Sequence, residues 1–239
     1  MSMQSALALI YPPHCATCEA PVSDRGGICG DCWRDTPFIL GLCCDVCGMP
    51  LPGEDDETWL CDDCLKWGRP WLRGRAALVY EGRARQLVLR IKHGDRLDLV
   101  PAAAGWMMRA AAPLLLPETL LVPVPIHWRR LFRRRYNQAA ALSREMARIG
   151  GCDHAPRALL RPRPTRVQDG KSAAERFSDL EDAIEPHPRY GAAIEGRPVL
   201  LVDDVMTSGA TLSACTEACY RAGAGKVDVV TLARVMRGT

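Results

Sequence analysis

The chain has 239 residues, 48% hydrophobic and 25% charged, which suits a soluble globular protein with one well-packed domain and a smaller one. No apolar run is long enough to span a bilayer, which excludes a helical membrane protein. The net charge of +3 hides an asymmetry, with −7 in residues 1–72 and +10 in the remainder, so a polyanion would meet the second part.

Residues 1–10 carry no basic side chain, and their short apolar stretch is followed by Pro12-Pro13. That argues against a secretory signal and sets the expectation of a cytoplasmic protein, with residues 6–10 packed as a helical turn. Nine of the 12 cysteines fall before residue 65, and eight of them form Cys-x-x-Cys pairs: Cys15/Cys18, Cys29/Cys32, Cys44/Cys47 and Cys61/Cys64. Each pair can present two thiolates to one metal, and two pairs complete a tetrahedral site whose binding energy is also folding energy. The expectation is two structural Zn2+ ions. Disulfides suit a cytoplasmic chain poorly, and a redox motif would need one pair rather than four. Spacing leaves open whether successive pairs share a metal or cross-brace. Cysteine fills every coordination position, so neither metal would have an open position for catalysis.

Residues 70–74 read as a linker, dividing a cysteine-rich domain (1–72) from a second domain (73–239). Strands are expected over 76–80, 120–124, 158–160, 199–202 and 227–232, with helices over 83–93, 97–112 and 137–149. Strands alternating with helices imply an α/β fold with a parallel sheet flanked by helices.

The stretch most informative about function is 199–211, Val-Leu-Leu-Val-Asp-Asp-Val-Met-Thr-Ser-Gly-Ala-Thr. A buried apolar strand is followed at once by Asp203 and Asp204, at the strand end where open α/β sheets place their ligands. Val205 and Met206 lead into the small-residue loop Thr207, Ser208, Gly209, Ala210, Thr211 at the start of a helix. Backbone amides and the helix dipole there favour an anion. Two neighbouring acids can hold sugar hydroxyls or, through water, Mg2+. A strand–turn–helix with one capping residue would explain one acid or one hydroxyl, but not the pair together with the glycine loop.

Two basic segments are further candidates. One carries Arg129, Arg130, Arg133, Arg134 and Arg135 among Trp128, Phe132 and Tyr136. It suits a pyrophosphate or nucleic-acid contact, or an amphipathic helix docked by its aromatics. The other carries Arg161, Arg163, Arg166 and Arg176, with prolines that prevent a regular element, and suits a loop closing over pyrophosphate or an ordinary surface connection.

The stretch 199–211 resembles the signature of the type I phosphoribosyltransferases at every position. The resemblance implies that Asp203 and Asp204 hold the ribose hydroxyls of phosphoribosyl pyrophosphate. Residues from Val205 or Met206 to Thr211 would bind its 5′-phosphate, Mg2+ would accompany it, and arginines such as Arg129, Arg133, Arg161 and Arg163 would stabilise departing pyrophosphate. Members acting on hypoxanthine or guanine carry an acid where this chain has Thr207, which argues against that chemistry.

The whole chain resembles the ComF family, competence-associated phosphoribosyltransferase-like proteins with an N-terminal double zinc ribbon. The match runs through Pro13-His14-Cys15, Ile91-Lys92-His93-Gly94-Asp95, Val122-Pro123-Val124-Pro125, Tyr136-Asn137-Gln138, Arg163-x-Thr165-x-x-Gln168 and the signature. Where relatives often carry Arg-x-x-Asn before an Ala-Phe pair, this chain has Arg176, Asp179 and Ala183-Ile184. The resemblance implies transfer of phosphoribose to an acceptor, or a non-catalytic ribose-phosphate-binding factor. It also implies a role with single-stranded DNA or the DNA-uptake machinery.

Overall fold

The computed structural model describes residues 13–15, 17–18, 20–23, 27–53, 59–93, 96–127, 136–162 and 183–236. The turn expected at 6–10 and the second basic segment beyond residue 162 lie outside them, as does most of the first. The described elements in chain order are α1 (Gly30–Arg34), α2 (Asp62–Lys66), β1 (Gly74–Val79), α3 (Gly82–His93), α4 (Val100–Ala111) and β2 (Leu120–Pro123). Then follow α5 (Gln138–Gly150), β3 (Asp153–His154), β4 (Leu159–Leu160), β5 (Glu185–Pro186), β6 (Pro198–Met206), α6 (Ala210–Arg221) and β7 (Lys226–Arg234).

Five strands form one parallel sheet in the order β1-β7-β6-β2-β3. The sheet is covered on both faces, which is why its strands read as apolar runs rather than alternating ones. Leu121, Leu200, Val202 and Val230 pack with α3, α4 and α5 on one face. Leu120, Val122, Val199, Leu201 and Val229 pack on the other with α6 and the second cysteine set. This is the α/β architecture that the alternation of elements predicts, with a small region built around the paired cysteines at its N-terminal side.

The connection from β2 runs through α5 outward to β3, whereas that from β6 runs through α6 on the other face to β7. Strands β2 and β6 are therefore the point where the winding reverses, and a crevice opens beyond their carboxyl ends. The signature sits there.

Two elements differ from expectation. The segment at 158–160 does extend, but Leu159 and Leu160 pair antiparallel with Pro186 and Glu185 in a separate two-stranded sheet. The main sheet's edge is instead Asp153–His154, too short and polar to announce itself by periodicity. Its opposite edge, β1, is bridged by residues near Phe38: Ile39 N donates to Ala77 O at 3.0 Å and Val79 N to Pro37 O at 2.9 Å. Phe38 stacks near Trp33 (4.3 Å between centroids) and edge-on to Trp106 of α4 (5.3 Å), which anchors the first cysteine set on the body.

Residues 69–74 are not a plain connection. Trp71 is 2% exposed, Leu72 N donates to Val227 O at 2.9 Å, and Gly74 already belongs to β1. Gly74 N donates to Asp45 O at 2.8 Å, and a Cβ on Gly74 would lie 2.4 Å from Val46 O, so only glycine lets this knuckle approach. Asp45 pairs with Arg75 and, at 3.4 Å, with Arg73. Against the penalty of burial, those guanidiniums hold its carboxyl below the usual range. No helix among the described residues is long and apolar enough to cross a membrane.

Candidate functional site

The eight paired cysteines gather as two groups of four, Cys15, Cys18, Cys29, Cys32 and Cys44, Cys47, Cys61, Cys64. Successive pairs therefore share a site, and cross-bracing is excluded. Within each group all sulfurs lie within 4.8 Å of one another, compatible with the separation of about 3.8 Å that tetrahedral Zn–S bonds dictate. In the second group the Cys44 thiol is drawn far down by hydrogen bonds from Cys47 and Cys64. The donors rise in turn, Cys47 to about 12. A divalent cation satisfies such a cluster because it lets all four sulfurs ionise. Cys43 stands outside both groups, as a bystander thiol.

Asp203 and Asp204 lie near the carboxyl end of β6, partly buried there. Asp204 N donates to Asp203 Oδ1 at 2.8 Å. Burial first, and the charge of Asp204 second, push the Asp203 carboxyl up to about 8, opposed by Lys92. Lys92 Nζ sits 3.0 Å from Asp204 Oδ2. Its position is fixed from the start of α5: Tyr136 Oη donates to Ile91 O, Gln138 Nε2 to Lys92 O at 3.2 Å, and Asn137 Nδ2 to Val124 O at 3.0 Å. Asn137 also caps α5, its Oδ1 accepting from Ala139 N at 3.0 Å.

The loop after β6 is held from behind. Arg234 Nη1 donates to Met206 O at 3.2 Å and to Thr207 O at 2.8 Å, and Arg69 Nη1 donates to Ser208 O at 2.6 Å. Three successive carbonyls thus point inward. In a planar trans peptide the N–H opposes the C=O, so the amides of Thr207, Ser208 and Gly209 point away from the guanidiniums that hold those carbonyls. No carbonyl among the described residues accepts from these three amides. Gly209 has φ +83°, and a Cβ there would come within 3.0 Å of both Arg69 Nη1 and Trp71 Cη2. Ala210 then opens α6. Backbone amides at a helix N-terminus, with guanidiniums close by, are an arrangement that can take an anion.

Of the residues singled out by sequence, the structure brings Asp203, Asp204 and the 207–211 loop to one strand end. Thr207 is exposed, Ser208, Gly209 and Ala210 are buried, and Thr211 is partly so. Val205 and Met206 contribute backbone only, since Met206 is packed in the core and Val205 leans on the opposite face. Arg161 follows β4, and its charge and that of Asp203 both act on the buried Cys215 thiol, which burial and Cys219 raise foremost. Arg129, Arg133 and Arg163 lie outside the described residues. Sequence reasoning missed Arg69, Trp71, Lys92 and Arg234 as parts of the site. Arg234 carried a signal, an arginine closing the apolar run Val-Val-Thr-Leu-Ala of a buried strand.

The double zinc ribbon domain family matches residues 6–65. The DNA utilization protein YhgH of Escherichia coli K12 is 30% identical over 235 residues, covering 95% of this chain and all of that protein. Competence protein F of Haemophilus influenzae is 28% identical, over 88% of this chain and 91% of its own length. Competence protein ComFC of Bacillus subtilis is 26% identical, over 87% and 84%. With ribbon, parallel sheet and signature joined along nearly the full length of these relatives, the chain belongs to the ComF family of competence-associated, phosphoribosyltransferase-like proteins.

Proposed function

We propose that the protein binds phosphoribosyl pyrophosphate together with Mg2+ and transfers phosphoribose to an acceptor in the service of DNA uptake and use. The observation that carries this is the inward turn of three loop carbonyls, which frees the amides of Thr207, Ser208 and Gly209 for a 5′-phosphate. Beside them Asp203 and Asp204 accept hydrogen bonds from the vicinal hydroxyls of ribose, and Lys92 balances their charge. Lys92 occupies one oxygen of Asp204, so the acids suit hydroxyl donors and metal-bound water better than direct coordination. Magnesium neutralises the pyrophosphate. Arg161, with Arg129, Arg133 and Arg163, supports the leaving group as charge develops there. Positioning and charge, not a covalent nucleophile, do the work in such a site.

The names of the relatives and the +10 charge of residues 73–239 favour a second reading, a ribose-phosphate or single-stranded DNA-binding factor without turnover. Calorimetry with phosphoribosyl pyrophosphate and Mg2+ separates the two. The first reading expects binding by the wild type that Asp203→Asn with Asp204→Asn abolishes. Absence of heat with the wild type overturns it. DNA affinity that falls with salt and survives the double substitution supports the second.

A further inference from the structure

Away from the signature, one cluster presents hydrogen-bond donors without a matching acid. His187 N donates to Ala158 O at 2.8 Å and Gly191 N to His187 O at 2.7 Å, which fixes the turn after β5 against the residue before β4. Within that turn His187 Nδ1 accepts from the amides of Arg189, at 3.0 Å, and Tyr190, at 3.3 Å. An accepting Nδ1 leaves the ring proton on Nε2, so the other edge of the imidazole is a donor. The half-buried rings of His187 and Tyr190 lie 4.6 Å apart between centroids. Two exposed arginines bring their guanidiniums over the Tyr190 ring, Arg157 at 5.8 Å and Arg189 at 5.5 Å from its centroid. Arg96, Arg148 and Arg197 each hold a carboxylate, whereas Arg157 and Arg189 form no ion pair among the described residues. The acids nearest along the chain do not answer them: Asp153 is taken by Arg197, and Glu185 pairs with neither.

We propose that Arg157, His187, Arg189 and Tyr190 form a platform for the phosphodiester backbone of a single-stranded nucleic acid, separate from the signature loop. A guanidinium laid over a ring keeps its in-plane N–H donors free and can meet a phosphate with two of them. Bases stack on guanidinium planes and on aromatic rings alike. The arginines are exposed rather than enclosed, which suits a polymer whose many phosphate contacts add up better than a small anion that needs a pocket. The +10 charge of residues 73–239 draws a polyanion to this part of the chain. Tyr190 leads through a 3-10 turn (Gly191–Ile194) to the amino end of β6, whereas the signature lies at its carboxyl end. No hydrogen bond or ion pair among the described residues joins the four side chains to the 207–211 loop, which Arg69 and Arg234 hold instead. The platform deepens the DNA-binding reading given above, and the choice of ligand rests on that reading.

The test is fluorescence anisotropy of a labelled thymidine oligonucleotide titrated with the full chain over a range of salt. Arg157→Ala combined with Arg189→Ala is expected to bind about ten-fold more weakly, and to flatten the slope of log affinity against log salt by about 1.4, two phosphate contacts at about 0.7 each. Arg157→Lys with Arg189→Lys should restore the slope but only part of the affinity, since lysine neither stacks nor forks. Unchanged affinity and slope in the alanine pair, while the wild type binds, overturn the platform and leave the DNA-binding reading standing. A wild type that binds no oligonucleotide defeats both. Displacement of the oligonucleotide by inorganic phosphate beyond that by chloride at equal ionic strength would make this a small-anion site and overturn the nucleic-acid assignment. Equal affinity for a duplex would overturn the single-strand assignment. Calorimetry with phosphoribosyl pyrophosphate and Mg2+ should give the alanine pair the same result as the wild type, and a difference there would overturn the separation of the two sites.

Discussion

Lys92 Nζ stands 3.0 Å from Asp204 Oδ2, and the carbonyl of the same lysine accepts from Gln138 Nε2 at 3.2 Å. The lysine is thus held at both ends, by an acid of β6 and by the first turn of α5. The run Tyr136-Asn137-Gln138, without chemistry of its own in the site, closes α3 against β2 and α5 so that one cation reaches the acids. Replacing Lys92 by Met is expected to weaken phosphoribosyl pyrophosphate binding by roughly 10- to 100-fold, because it leaves the partly buried Asp204 carboxylate without its counter-charge. Arg in its place should recover part of the loss. Titration calorimetry reads both, and an unchanged affinity in Lys92→Met would remove the lysine from the site.

Asp203 gives a pH dependence with a defined sign. Its folded-state value is raised to about 8 by burial and by Asp204, above the usual carboxylate value of 3.8. The proton is therefore retained in the folded state after the unfolded chain has released it. Stability is full below the unfolded value and falls as pH rises towards the folded one. Asp203→Asn removes this penalty, and should raise the melting temperature by a few degrees at pH 8 and above, and by less at pH 5, for about 1–2 kcal/mol. The wild type is expected to gain ligand affinity as pH rises from about 6 to 8, since an ionised carboxylate is the better acceptor for ribose hydroxyls, and the same substitution should flatten that rise.

The parallel sheet was legible because 120–124 and 199–202 are apolar runs without alternation, which only a strand buried on both faces tolerates. The two cysteine groups were legible as chemistry but not as pairing, since four like pairs differ only in spacing, and three-dimensional proximity settled it. Asp203, Asp204 and Gly209 announced themselves by adjacency along the chain. Arg69, Trp71 and Arg234 did not. They reach the loop from 139 residues upstream, in the case of Arg69, and from the strand after α6, and no local pattern encodes such a meeting. Arg161 shows the converse: its residue type drew attention, but only the fold brings its charge to act on Cys215 of α6, as that of Asp203 does.

Gly209 offers a test of the loop's geometry. With φ at +83° and Arg69 Nη1 and Trp71 Cη2 each 3.0 Å from the place a Cβ would take, alanine meets both backbone strain and a stacked pair that must give way. Gly209→Ala is expected to destabilise by about 1–3 kcal/mol, a fall of roughly 2–4 °C in melting temperature for each kcal/mol. It should also weaken phosphate binding, because Arg69 can no longer hold Ser208 O. A variant as stable as the wild type would mean that the loop relaxes without the Arg69–Trp71 wedge.

The first group of four cysteines bears a separate duty that chelation exposes. Strand β1 is the last of the sheet, and the backbone around Phe38 covers it with bonds at Ile39 and Val79. That covering segment is anchored by Thr36 Oγ1 donating to Cys32 O at 2.6 Å and by the Trp33, Phe38 and Trp106 rings. Cys29→Ser, which breaks the first group, should loosen this cover and leave β1 with unpaired backbone donors and acceptors, an invitation to pair with another chain. The expected outcome is self-association that grows with concentration in sedimentation velocity, with phosphoribosyl pyrophosphate affinity close to wild type. A monomeric Cys29→Ser protein lacking one zinc would show that the cover holds by its aromatic packing alone.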